Sequence, residues 1–207
     1  MKKIPTLFVR DFSAQPALVI PEVTPGCEWV LAGEGEATRK YDGTCVMLDQ
    51  SGEWWARREV KRGKTPPPRY VPISTDDETG KTVGWEPVEQ SAFAKWVREA
   101  LNTPWGVAQM NANGRWTPSK PAESGTYELC GPKVNGNPER IQEGHLLIRH
   151  GYKAAVDREE MATLPTDFAG LAAWLHARPN WEGIVWHHPD GRMAKIKGKD
   201  FRRQGTA

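Results

Sequence analysis

Residues 39–45 read Arg-Lys-Tyr-Asp-Gly-Thr-Cys, which puts a lysine, an acid and a glycine in the order Lys40-x-Asp42-Gly43. An amine there is either a surface group at a turn or a nucleophile. At its unperturbed pKa of about 10.4 a lysine is nearly all ammonium at pH 7 and cannot attack. A nucleophilic Lys40 therefore needs nearby cations to disfavour its charged form. Lys195 and Lys197, at i and i+2, fall on one face of a strand and suit that task, and they also suit an anionic substrate. Glu128 and Glu182 supply hard oxygens that can hold Mg2+ or Mn2+ or accept from a hydroxyl; their individual roles are not readable from sequence. An acid pressed against Lys40 would favour the ammonium, so Asp42 is expected to act through metal-bound water or by positioning. Taken alone, a Lys-x-Asp-Gly string turns up by chance in roughly one chain in twenty of this length. The chemistry depends on the other segments meeting it.

The elements that must bring them together are mostly strands. Residues 27–33 (CEWVLAG), 44–49 (TCVMLD) and 53–60 (EWWARREV) are short and rich in β-branched and aromatic residues, as in an antiparallel sheet. Lys40 then lies in a loop or at a strand start, beside a Gly43 that allows a tight turn. Residues 61–84 are basic and Pro-rich, then acidic, without periodicity, and read as a long surface loop. Strands return at 125–130, 145–151, 182–188 and 192–198, the last two joined by a Pro-Asp-Gly hairpin signal. Helices are expected at 91–101, capped by Ser91, and at 167–177, capped by Thr166 and stopped by Pro179. The sum is a strand-rich α+β chain without internal repeats.

A length of 207 residues suits one domain. The net charge of +2 excludes a generally basic protein, but the segments ARREVKRGK and GKDFRRQ are local basic patches. Three cysteines without a CxxC pair argue against a disulfide framework or zinc ribbon and fit a reducing cytosol. The N-terminal apolar run is broken by Arg10 and Asp11, and nothing approaches a membrane span. A soluble, monomeric, cytoplasmic protein is expected. His187 and His188 point to opposite strand faces and make poor joint metal ligands. Of ten Trp, Trp96 and Trp174 are expected to be packed, while Trp54, Trp55 and Trp186 could stack on a base. Cys45 is expected to be a buried thiol.

With GEGEATRKYDGTC, WWARREVKRGK, GWEPV, YELCGPKVNGNPE and EGIVWHHPDGRMAKIKGKDF in this order, the chain resembles the covalent nucleotidyltransferases, and among them the compact single-domain ATP-dependent RNA ligase family (RNA ligase 1 family). The resemblance implies an ATP-grasp-like nucleotidyltransferase domain of largely antiparallel sheets with flanking helices. It implies Lys40, with Asp42 and Gly43, as the nucleophile motif that forms lysyl-AMP. It places the arginine-bearing motif on Arg57 or Arg58, the third motif on Glu128, the fourth on Glu182 and Gly183, and the fifth on Lys195 and Lys197. Glu128 and Glu182 would be nucleotide or metal ligands, with ATP and Mg2+ or Mn2+ as cofactors. Arg39 stands where relatives often carry an acid and adds positive charge beside the lysine. The fifth motif ends ten residues before Ala207, so no C-terminal OB-fold domain is expected.

The implied activity is joining of 5′-phosphate and 3′-hydroxyl RNA ends, as in RNA repair, with Lys61, Arg62, Lys64, Lys199, Arg202 and Arg203 as RNA phosphate contacts. Two other readings share these residues: an adenylyltransferase with a non-RNA acceptor, and a non-catalytic RNA-binding module on the same scaffold. The residues do not distinguish ATP from GTP, and RNA over DNA rests on the resemblance.

Overall fold

The computed structural model describes residues 3–201 apart from 14, 105, 120–121 and 143. Arg202 and Arg203, expected as RNA contacts, lie outside the described residues. Where length suggests one body, the chain divides into two compact units, one of Met1–Lys3 with Asp42–Tyr152 and one of Ile4–Tyr41 with Lys153–Ala207. In chain order the second of these first contributes β1 (Phe8–Asp11), β2 (Leu18–Val23), a single helical turn α1 (Glu28–Leu31) and β3 (Glu36–Lys40). The other unit follows with β4 (Thr44–Leu48), β5 (Trp54–Val60), β6 (Val71–Thr75), β7 (Thr82–Pro87), α2 (Ala94–Leu101), β8 (Val107–Met110), β9 (Trp116–Pro118), β10 (Gly125–Cys130) and β11 (Leu146–Arg149). The chain closes with α3 (Ala155–Met161), α4 (Phe168–His176), β12 (Gly183–His187) and β13 (Met193–Lys197).

The unit holding residues 42–152 is built on an eight-stranded sheet in the order β6-β7-β5-β4-β10-β11-β8-β9, antiparallel except for the β11–β8 pair. Strand alternation sends Val46, Ala56, Tyr127, Leu129 and Leu147 to one face, where they pack with Val97 and Ala100 of α2. The other unit contains a β1–β2 ribbon and a three-stranded antiparallel sheet, β13-β12-β3. Its outer β13 edge is covered by residues 5–7, with Leu7 N–H donating to Lys195 O at 2.7 Å and Lys195 N–H to Pro5 O at 3.0 Å. Ile184, Trp186, Ala194 and Ile196 face a core completed by Leu171 and Leu175 of α4. The chain is thus α+β with largely antiparallel sheets. Among the described residues no helix is long and apolar enough to cross a membrane.

Four local expectations are corrected. Residues 27–33 hold the helical turn α1, not a strand: a short apolar run has no period to tell the two apart, and Gly33, at φ 77°, ends the turn by donating to Val30 O. Residues 61–84 are not one loop, because β6 and the start of β7 form a hairpin within them. Pro72 and a register break between Pro72 and Ser74 erase the alternation of β6, and both are tolerated because β6 is an edge strand. The acidic stretch is its turn, with Asp76 accepting from the Thr79 N–H and hydroxyl at 3.0 and 2.9 Å. Finally, Ser91 precedes the N-cap of α2, which is Phe93, and Asp167 rather than Thr166 caps α4 by accepting Gly170 N–H at 2.8 Å.

Candidate active site

β12 runs between β3 and β13 in a register that sets Gly183 opposite Lys40 on one side and opposite Lys197 on the other. Paired residues share a face, so Lys40, Gly183 and Lys197 form one row across the sheet, and Thr38, Val185 and Lys195 form the next. Lys40 is the last residue of a strand rather than a loop residue. The opposite face carries Arg39, Ile184 and Ile196, and the apolar pair of these lies in the core. A Cβ on Gly183 would stand 2.0 Å from Ile196 O, so only glycine fits, and the row has no side chain between its two lysines.

Glu182 closes that gap. Its Oε2 accepts from Lys40 Nζ at 2.5 Å and its Oε1 from Lys197 Nζ, while its side chain is only 8% exposed. Burial works to raise the Glu182 carboxyl, but the two ammonium groups outweigh it and hold the group below its ordinary value. The acid that pairs with Lys40 is therefore Glu182, not the neighbouring Asp42. Two cations on one anion leave a net positive charge, which suits a phosphate.

The residues beside Lys40 are fixed as well. The Arg39 guanidinium lies over the rings of Tyr41 and Trp181, 4.8 and 5.0 Å from their centroids. Tyr41 donates its hydroxyl to Asp157 of α3 at 3.0 Å. Burial pushes the Asp157 carboxyl up, against the opposing pull of Arg39 and of that hydroxyl. In the next row Thr38 Oγ1 lies 3.0 Å from His187 Nε2, while His188 meets Glu34 at 3.0 Å and Asp190 at 2.8 Å.

In the unit that begins at Asp42, the glycine of the motif is required by close approach and not by a left-handed backbone: a Cβ on Gly43 would lie 2.2 Å from Leu129 O and 2.8 Å from Cys130 Sγ. Gly43 N–H donates to Glu128 Oε1 at 3.0 Å, and His150 presents Nε2–H to Glu128 Oε2 at 2.8 Å. His150 Nδ1 in turn meets Thr126 Oγ1 at 3.0 Å. Asp42 N–H donates to Glu139 Oε1 at 2.9 Å, and Asn135 Nδ2 donates to Gly43 O at 2.7 Å and to Asp42 Oδ1 at 3.2 Å. Strand pairing puts Arg57 on the face shared by Cys45, Met47 and Glu128, whereas Arg58 points to the other and is exposed. Arg57 Nε is buried without a hydrogen-bond partner among the described residues, a donor that a bound anion would satisfy.

The sequence model of the RNA ligase 1 family matches residues 69–202, more than half of the chain. This chain belongs to the RNA ligase 1 family. The mouse RNA ligase 1 is 28% identical over 159 residues, 69% of this chain and 45% of that protein. The zebrafish RNA ligase 1 is 30% identical over 136 residues, 58% of this chain and 40% of that protein. The chain thus spans less than half the length of these relatives. Lys40 precedes the span matched to the family, so its assignment rests on its own motif and geometry.

For this RNA ligase family member the donor set fits a protein-held metal ion poorly. Both Glu182 oxygens are engaged by ammonium groups, and both Glu128 oxygens accept from N–H groups. Among the described residues no three His, Cys, Asp or Glu side chains gather as a metal site. Lys61, Arg62, Lys64 and Lys199 are exposed. Two of the tryptophans considered for base stacking are excluded by the core: Trp186 is 5% exposed, and Trp54 packs on Tyr127 at 5.4 Å. Trp55 donates to Asp49 at 2.8 Å and stays half-buried, as does Cys45. No residue pattern marks Asn135, Glu139 or His150 in the sequence. Only the Asn-Gly dipeptide at 135–136 hinted at an unusual backbone there.

Proposed function

We propose that this chain is an ATP-dependent RNA ligase that joins a 5′-phosphate to a 3′-hydroxyl. Lys40 Nζ attacks the α-phosphorus of ATP, a P–N bond forms and pyrophosphate leaves. Glu182, at 2.5 Å, holds the Lys40 ammonium in place before reaction, and the proton the amine gives up leaves with the more basic pyrophosphate. The triphosphate competes with Glu182 for Lys197, and Lys195 and Lys197 neutralise charge developing on the α-phosphate and the leaving pyrophosphate. Arg57, with its unsatisfied Nε, is the arginine assigned to the nucleotide. An RNA 5′-phosphate oxygen then displaces the lysine and takes the AMP in a pyrophosphate linkage. A 3′-hydroxyl attacks the RNA phosphorus, the phosphodiester forms and AMP departs. Lys61, Arg62, Lys64 and Lys199 hold the RNA backbone.

The observation that carries this reading is the row of Lys40, Gly183 and Lys197 bridged by Glu182, which gives an amine nucleophile and a second ammonium a common anionic partner. The test is incubation with α-32P-ATP and Mg2+ or Mn2+, followed by denaturing electrophoresis beside Lys40→Ala. Acid-labile label on the parent alone, and joining of a 5′-phosphorylated RNA with a free 3′-hydroxyl, are expected. No label on folded protein, with GTP also tried, overturns the reading. Label without joining moves the acceptor from RNA to another molecule.

A further inference from the structure

The two residues after Tyr41 are held by four hydrogen bonds: Asp42 and Gly43 donate their N–H groups to Glu139 and Glu128, and Gly43 O and Asp42 Oδ1 both accept from Asn135 Nδ2. Asn135 is exposed and adopts φ 48°, a left-handed conformation that asparagine tolerates better than other residues with a side chain. The loop that presents it is rigid by its own bonds. Asn137 Nδ2 donates to Ile141 O at 2.8 Å and Ile141 N–H to Asn137 Oδ1 at 2.9 Å, while Val134 and Ile141 anchor it in the interior. An exposed amide on a strained backbone, spending both its hydrogens on the Asp-Gly of the lysine motif, has no role in the core.

We infer that Asn135 is a positioning residue for the lysine motif, clamping the Asp42–Gly43 segment that follows Lys40 in the chain. The inference rests on the proposed function. A lysine has a long flexible stem, and a misplacement of about 1 Å at a reacting atom costs on the order of a hundredfold in rate. The Asn135 amide fixes the backbone two and three residues downstream of that stem.

Asn135→Gly keeps the left-handed backbone and deletes the donor, and Asn135→Asp keeps size and shape but offers a carboxylate to the Asp42 carboxylate. Lysyl-AMP formation is measured as a function of ATP concentration, with thermal melting and amide exchange at residues 42 and 43 in parallel. For Asn135→Gly the expected result is a saturating rate lower by about tenfold or more. Half-saturating ATP and the melting temperature stay near the parent's, and amide exchange at 42 and 43 is faster. Asn135→Asp is expected not to rescue. Parental rates in Asn135→Gly, or unchanged exchange at both amides, overturn the inference. A parent that takes no label overturns the proposed function and the catalytic half of this inference, and the exchange data then decide the clamp alone.

Discussion

Glu182 holds two ammonium groups, and this fixes the order in which charge-removing substitutions destabilise the protein. Glu182→Gln deletes both attractions and leaves Lys40 and Lys197 facing each other across a neutral amide. Two such charges roughly 5 Å apart repel by about 3 kcal/mol at an effective dielectric constant of about 20. The lysine side chains are 20% and 23% exposed and can turn partly to water, so a net loss of about 2–4 kcal/mol is expected. Lys197→Gln or Lys40→Gln deletes one attraction together with the repulsion and leaves an intact pair, so each should cost about 1 kcal/mol. Because the Glu182 carboxyl lies below its ordinary value of 4.5, its contribution is fully present above that value and is lost as pH falls through the folded value. The gap between parent and Glu182→Gln should therefore be constant near neutrality and close below about pH 4.5. Urea unfolding of the four proteins from pH 3 to pH 8 measures both effects. A Glu182→Gln protein no less stable than Lys197→Gln, or a gap unchanged in acid, refutes the reasoning.

Two further outcomes follow from the geometry. Gly183→Ala puts a methyl 2.0 Å from Ile196 O and should force β12 and β13 apart, costing about 2–4 kcal/mol in chemical denaturation and abolishing lysyl-AMP formation even where the protein stays folded. Replacing Lys61, Arg62 and Lys64 together by Ala should leave lysyl-AMP formation intact while lowering the slope of log RNA affinity against log salt by about 2. Fluorescence anisotropy over a KCl series reads that slope, and an unchanged slope would remove these residues from the RNA-binding surface.

What was legible in the sequence was what strand alternation dictates. Lys195 and Lys197 at i and i+2 do share a face, and Arg57 can be told from Arg58 once the pairing partner of β5 is known. The role of Gly183 was not legible, because it depends on which strands lie on either side of β12. Glu139, Asn135 and His150 were hidden for a related reason. They sit in or beside irregular segments, and their partners at Asp42, Gly43 and Glu128 are set by tertiary contact rather than by any period. A base-stacking role for Trp186 is ruled out by strand alternation, which sends it to the face opposite Lys195 and into the core. Residues 61–84 hid a hairpin because an edge strand need not alternate.

The three-stranded sheet has one further consequence. Its two faces are interchanged by a single-residue slip, and a slipped β13 would present Ala194 and Ile196 where Lys195 and Lys197 belong, and drive both lysines into the apolar interior. Misregistered molecules would lose solubility and chemistry together, with no soluble but inert form between. Under the proposed chemistry, the stoichiometry of AMP bound per chain becomes a census of correctly folded molecules, and a preparation that labels to completion certifies its own fold.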